Sequence, residues 1–296
     1  MLSNKSYIFI AIFIFIASVA SYFFSLASSD NRQMNVQLLW QDEKLGCQAT
    51  FNPESGNQAW FIEQLQFFIS DIEFYSEHLG WQRAMLNNTA FQANNTVLLG
   101  TNCRDTQHKN GAGNTDNWSV DFQSTISMND ASRIRFTLGV PFQVNHLNPI
   151  SQQSPLNLPS MFWIWQTGHK FLRLELAANH EKWLFHLGST GCKSVSAMRA
   201  PKSNCLYPNR FNFELPLGIN SKNAKGNLAI NVDLAELLKH VELSASSSCQ
   251  SEQNNKSCQQ LFDNLLLNNQ IKSAETEPGV FNAVNINHKS KGSTVE

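Results

Sequence analysis

The stretch KFLRLELAANHEKWLFHLGSTGC, residues 170–192, holds two short apolar runs, Phe171 to Leu176 and Trp183 to Leu187, bounded by polar and turn residues. Runs of that length with such boundaries read as β-strands rather than helices. The same signature recurs outward in both directions. Upstream lie Val36 to Trp40, Leu65 to Ile69, Ile72 to Tyr75 and Ile134 to Val140, and downstream Phe211 to Leu217 and Leu228 to Val232. Many short strands joined by polar connections predict a mainly β domain, a sandwich or barrel-like fold. Two segments break the pattern. Asp233 to Leu243 places Leu234, Leu237, Leu238 and Val241 at helical spacing, and Ser257 to Leu267 does the same behind a capping box of Ser257 and Gln260. Each predicts a short helix docked on the β core. Asn87 to Asn117 is rich in Asn, Thr and Gly and contains NGAGN, which predicts a long surface excursion tethered by Cys103.

The chain opens MLSNKSYIFIAIFIFIASVASYFFSLASS, with Lys5 followed by an apolar and small-residue stretch from Tyr7 to Ala27. That is the layout of a secretion signal, with Ser25 and Ala27 meeting the small-x-small rule for cleavage. The stretch is also long enough to remain as a membrane anchor at the N-terminus. Either outcome places the rest outside the cytoplasm. The expected organisation is a signal peptide or anchor over 1–27, one β domain over 28–268, and a polar, disordered tail over 269–296. Cys47, Cys103, Cys192, Cys205, Cys249 and Cys258 all follow the leader, and an even count in an exported chain reads as disulfides. Six cysteines allow fifteen pairings. Closeness in sequence favours Cys192 with Cys205 and Cys249 with Cys258, leaving Cys47 with Cys103, but spacing alone does not establish this.

Lys and Arg number 22 against 23 Asp and Glu, and charged residues make up 15% of the chain. They are scattered, so no basic stripe exists to track phosphates, and nucleic acid is excluded as a partner. There is no H-E-x-x-H, no phosphate-binding glycine loop and no C-x-x-C pair. GSTG at Gly188 to Gly191 misses the spacing of a nucleophile elbow and reads as a tight turn after a strand. What stands out is the block from Arg133 to Arg210, which gathers tryptophans and histidines. In an extended strand Trp163 and Trp165 share one face, and His186 projects from another strand on the face of Leu184. Imidazoles are common ligands for copper and zinc.

Three segments of that block follow in a set order: VPFQVNH (Val140 to His146), MFWIWQTGHKFLR (Met161 to Arg173) and FHLGSTGC (Phe185 to Cys192). With FFISDIEFYS from Phe67 and the later PNR, they resemble the MbnP-like family, the four-cysteine partner of a metallo-mystery pair. One departure is His169, where the family usually has Tyr. The resemblance implies a periplasmic or surface copper-binding protein, serving acquisition or storage of copper, rather than an enzyme. It also implies a dihaem partner of the MauG and cytochrome c peroxidase type, which oxidises a tryptophan to kynurenine at the copper site. By the same resemblance the metal-site residues are His146, His186, Trp163 and Trp165, with His169 as an additional imidazole. With the thiols taken by disulfides, such a site relies on imidazoles, whose tautomers need acceptors such as Asn145 or backbone carbonyls near His186. Two other readings compete: a carbohydrate- or ligand-binding β module using a tryptophan platform, and a secreted enzyme built on His186 and Ser189.

Overall fold

One strand of 17 residues, Trp60–Ser76, organises the molecule. The computed structural model describes residues 31–54, 58–106, 116–217, 228–266 and 279–283. The leader, the NGAGN segment and most of the C-terminal tail lie outside them. In chain order the strands are β1 (Asn31–Trp40), β2 (Glu43–Lys44), β3 (Thr50–Phe51), β4 (Trp60–Ser76), β5 (Gly80–Arg83), β6 (Met85–Leu86), β7 (Gln92–Ala93) and β8 (Thr96–Asn102). There follow β9 (Ser119–Gln123), β10 (Arg133–Leu138), β11 (Lys170–Ala178), β12 (Glu181–Gly188), β13 (Phe211–Pro216), β14 (Leu228–Asp233) and β15 (Phe281–Ala283).

They form two sheets and no closed barrel. The larger runs β12-β11-β4-β10-β13, with β3, β5 and β8 also on β4. The smaller runs β15-β14-β1-β9-β6, with β1 and β14 parallel. β4 is long enough to hold β11 along Phe61–Phe67 and β10 along Ile69–Tyr75 on the same edge. Within the β10-paired stretch Asp71 adopts φ 54°, so Asp71 and Ile72 together face Phe136. This β-bulge resets the alternation of side chains. It is why the sequence shows two apolar runs, Leu65 to Ile69 and Ile72 to Tyr75, where the structure has one strand.

The sheets close over a core of aromatic rings. Phe74 of β4 stacks on Phe122 of β9 at 5.1 Å, and Phe281 of β15 meets Phe67, Phe136 and Phe213 at 6.0, 5.2 and 4.6 Å. Each such ring removed from water contributes about 1.5–3 kcal/mol. Phe281–Ala283 falls in the stretch expected to be a disordered tail; it is instead an ordered strand, because Val280 and Phe281 are buried. The excursion expected over Asn87 to Asn117 is corrected in the same way. Its TVLLGTN segment is β8, paired with β4 from Gln64 to Ser70 and almost wholly buried. A polar setting hid a core strand there.

The three disulfides are Cys47–Cys103, Cys192–Cys205 and Cys249–Cys258, and no cysteine is free. They mark a chain folded in an oxidising, extracytoplasmic compartment. Among the described residues no helix is long and apolar enough to cross a membrane. The last disulfide places its loop along the open edge of β12. Cys249 accepts from the His186 N–H (2.8 Å) and donates to the Leu184 carbonyl (2.9 Å), which caps an otherwise unpaired strand edge.

Of the two expected helices, Lys256–Leu266 forms, capped by Asn255, whose Oδ1 accepts the N–H groups of Ser257 (2.8 Å) and Cys258 (3.1 Å). The expected Ser257 and Gln260 box is displaced by this residue just upstream. The helix from Asp233 is a single turn, Leu234–Leu237, since His240 turns to φ 60°. Leu238, Val241 and Leu243 still bury their side chains, so the apolar pattern reported burial rather than helix length.

Candidate metal centre

After β10 the chain makes one helical turn, Phe142–Asn145, which opens at Pro141 and ends at His146. Asn145 then ties this turn to a distant loop. Its Oδ1 accepts the His169 backbone N–H (2.7 Å) and its Nδ2 donates to the Thr167 carbonyl (3.2 Å). Gly168, at φ 80°, makes room for the amide, since a Cβ there would collide with the Asn145 side chain. Thus the two segments VPFQVNH and MFWIWQTGH are clasped through one buried amide.

The strand expected through Trp163 and Trp165 is not present. Ile164 to Gly168 is a tight turn, with the N–H groups of Thr167 and Gly168 both donating to the Ile164 carbonyl (3.1 and 2.8 Å). The two indoles therefore part company. Trp163 lies on β12, where a Cβ added to Gly188 would sit 2.5 Å from Trp163 Cζ3. Strand residues two apart point the same way, so this indole covers the face from which His186 projects. Trp165 turns toward His146, its Nε1–H donating to the His146 carbonyl (2.8 Å). A shared platform of two tryptophans is not formed.

His186 is buried, and its Nε2 lies 2.9 Å from Glu175 Oε1. Glu175 also accepts from Arg173 Nε (2.6 Å) and pairs with Arg104 (2.8 Å), which in turn pairs with Glu63. Burial alone would raise the Glu175 carboxyl, but the hydrogen bonds from His186 and Arg173 and the charges of Arg173 and Arg104 hold it well below the usual carboxylate range. A fixed anion at Oε1 keeps the His186 proton on Nε2. The lone pair is then on Nδ1, which is buried and meets no hydrogen-bond partner among the described residues. Burial pushes the His186 pKa down despite the Glu175 hydrogen bond, so the ring is neutral at pH 7. A neutral imidazole oriented by a carboxylate, with its other nitrogen open, is the arrangement in which proteins offer histidine to a metal.

His146 is also buried and held neutral by burial, with its Nδ1 3.4 Å from the Trp165 carbonyl. Its Nε2 faces the Asn145 amide (3.3 Å) and Cys205 Sγ (3.6 Å). The donor atoms of His146, Cys192 and Cys205 lie within 4.8 Å of one another, but the two sulfurs are bonded to each other and supply no thiolate. The same holds for Cys249 and Cys258 beside Glu252. Among the described residues neither cluster includes His186. His169 has no exposed surface and both its ring nitrogens face oxygens, Leu156 O at 2.8 Å and Asn145 Oδ1 at 3.1 Å. Its setting is structural, as a keystone between Phe68 and Phe162. Ser189 Oγ donates to the Pro208 carbonyl (3.0 Å).

Glu175 and its arginines were not among the residues singled out from the sequence. The signal was there: Arg173 and Glu175 are two apart in an otherwise apolar strand, opposite His186 and Leu184. A paired charge on one face of a buried strand needs a partner.

A family model described as MbnP matches residues 29–258. Among solved structures, MbnP from Methylosinus trichosporium is similar at a TM-score of 0.63 and 19% identity, over 79% of this chain and 87% of that one. At that identity the likeness is one of fold. No curated protein sequence matches the chain.

Proposed function

The chain belongs to the MbnP family, and on that premise we propose that it is a copper-binding protein of the periplasm or cell surface, acting in copper acquisition or storage. The observation that carries this reading is His186 Nδ1, buried without a hydrogen-bond partner among the described residues while Glu175 holds the opposite nitrogen. The donor set fits copper better than harder cations. Neutral imidazoles suit copper in either oxidation state, whereas Mg²⁺ and Ca²⁺ take oxygen ligands, and the carboxylate here is already engaged by two arginines and a histidine. His186 is the principal donor and His146 the second candidate. The protein acts by binding rather than by turnover, and Trp163 is the substrate of a dihaem MauG-like or cytochrome c peroxidase-like oxidant. Ring opening to kynurenine would provide a ketone oxygen and an aromatic amine over the His186 face, where an indole N–H offers no lone pair.

The test is metal analysis of disulfide-intact protein, followed by competition with a chromophoric copper chelator. His186→Ala and His146→Ala should each weaken copper binding by about a hundredfold or more, with unchanged circular dichroism. Parent-like affinity in both variants would remove the imidazole site.

A further inference from the structure

Between Cys192 and Cys205 the chain reads KSVSAMRAPKSN, with three cations and no carboxylate. The disulfide closes this segment into a loop, which is pinned to the tryptophan turn by the Gln166 N–H on the Ala197 carbonyl (3.1 Å). Val195 and Met198 are 83% and 70% exposed, far above what large apolar side chains usually show. They and Trp165 form the apolar lining of a pocket of about 940 Å³, with Lys193, Arg199 and Lys202 also on its wall. Among the described residues none of these three cations joins an ion pair, whereas Arg104, Arg133, Arg135, Arg173 and Arg210 all do.

We propose that this pocket binds an anionic small molecule with an apolar body, a carboxylate or sulfonate on an aromatic or aliphatic frame. The body lies against Trp165, Val195 and Met198, and the acid is neutralised by the three cations. Charge complementarity sets the sign of the ligand, because a cavity walled by unpaired cations repels cations and gains little from neutral guests. Volume sets its size, since pockets of roughly 300–1,000 Å³ hold single small molecules. The disulfide and the Gln166–Ala197 hydrogen bond restrain the loop that forms the wall, which limits the ordering entropy lost on binding. Trp165 also holds the His146 carbonyl, so the ligand lies next to a candidate copper donor, but the site stands without any metal.

The test uses metal-free, disulfide-intact protein and the fluorescent anion 8-anilinonaphthalene-1-sulfonate, with the uncharged N-phenyl-1-naphthylamine as its neutral counterpart. The anion should bind at one molecule per chain and about tenfold or more tighter than the neutral probe. The triple variant Lys193→Ser, Arg199→Ser, Lys202→Ser should lose that advantage while binding the neutral probe as the parent does, with an unchanged melting temperature. Equal binding of both probes by the parent, no saturable binding, or full retention of the anion by the triple variant would each overturn the site. An oligoglutamate peptide that displaces the anion and binds more tightly would reassign the surface to an acidic protein partner, and would also overturn it.

Discussion

Trp165 and His146 hold each other across the loop: the indole Nε1–H donates to the His146 carbonyl at 2.8 Å, and the Trp165 carbonyl lies 3.4 Å from His146 Nδ1. The aromatic residue thus positions the imidazole through main-chain and side-chain groups at once. Trp165→Phe keeps most of the ring but removes the donor. It should lower stability by about 1 kcal/mol, the net worth of one hydrogen bond, and loosen His146. Denaturant melts give the first quantity, and the linewidth of the His146 ring resonances gives the second. Sharp, unshifted His146 signals in the variant would mean that the turn at Ile164 positions the histidine without help.

Glu175 should matter to copper without touching it. In Glu175→Gln the amide can still face His186, but it no longer fixes the proton on Nε2, and Arg173 and Arg104 lose their shared anion. The expected cost is about 1–3 kcal/mol of stability, because the largely buried Arg173 loses its carboxylate while Arg104 keeps Glu63, and about 10- to 100-fold in copper affinity. Nitrogen-15 spectra of the imidazoles are the discriminating measurement. The parent should show His186 with its proton on Nε2, and the variant a mixture of tautomers. A fully Nε2–H ring in the variant would sink the positioning role, whatever happens to stability. Because the Glu175 pKa is depressed in the folded chain, its contribution is complete above the ordinary value of 4.5 and is lost as the pH falls below it.

His169 sets a second, higher limit on acid stability. Burial lowers its pKa from 6.5 to about 4, outweighing the Leu156 and Asn145 oxygens, which favour the charged ring. The folded protein therefore binds fewer protons than the unfolded chain between those values. Stability should be complete above pH 6.5 and decline as the pH falls toward 4, by on the order of 3 kcal/mol in all. His169→Phe, which cannot titrate, should flatten that part of the profile in urea melts measured from pH 7.5 to 4. An unchanged slope would assign the acid sensitivity to other groups.

The strands were legible because apolar runs bounded by turn residues report burial directly, and β10 to β14 fall where the sequence places them. The bulge at Asp71 was visible only as a gap between two runs. β8 was missed because its six buried residues sit among Asn, Thr and Gly, whose turn character dominates any reading of the surrounding window. The histidines were found, but how each is held was not. MFWIWQTG reads as a strand by period-2 alternation, but Asn145 and Gly168 impose a turn there, and no local pattern reveals a clasp between residues 23 positions apart. Glu175 escaped for a related reason. Its role depends on Arg104, which the helical turn Cys103–Thr106 after β8 delivers to it.

The parting of the two tryptophans decides which one a dihaem oxidant should convert. Trp163 lies against Gly188, on the face of β12 that carries His186, whereas Trp165 has its N–H engaged by the His146 carbonyl and lines the pocket of the disulfide loop. A kynurenine formed at Trp163 would place its new ketone and amine over the face of β12 that carries His186, and one formed at Trp165 would move the nitrogen that holds the His146 carbonyl. Under the proposed function, peptide mass spectrometry after co-expression with a MauG-like dihaem oxidant should therefore find the modification at Trp163 and leave Trp165 intact. Gly188→Ala sharpens the test, because the added methyl group would sit 2.5 Å from Trp163 Cζ3 and 2.8 Å from the His169 carbonyl oxygen, so that the indole and the β11 entry must both shift. That variant should fold, keep its three disulfides, and show both less conversion and weaker copper binding. Conversion at Trp165, or copper affinity that is the same with and without the oxidant, would detach the modification from the His186 site.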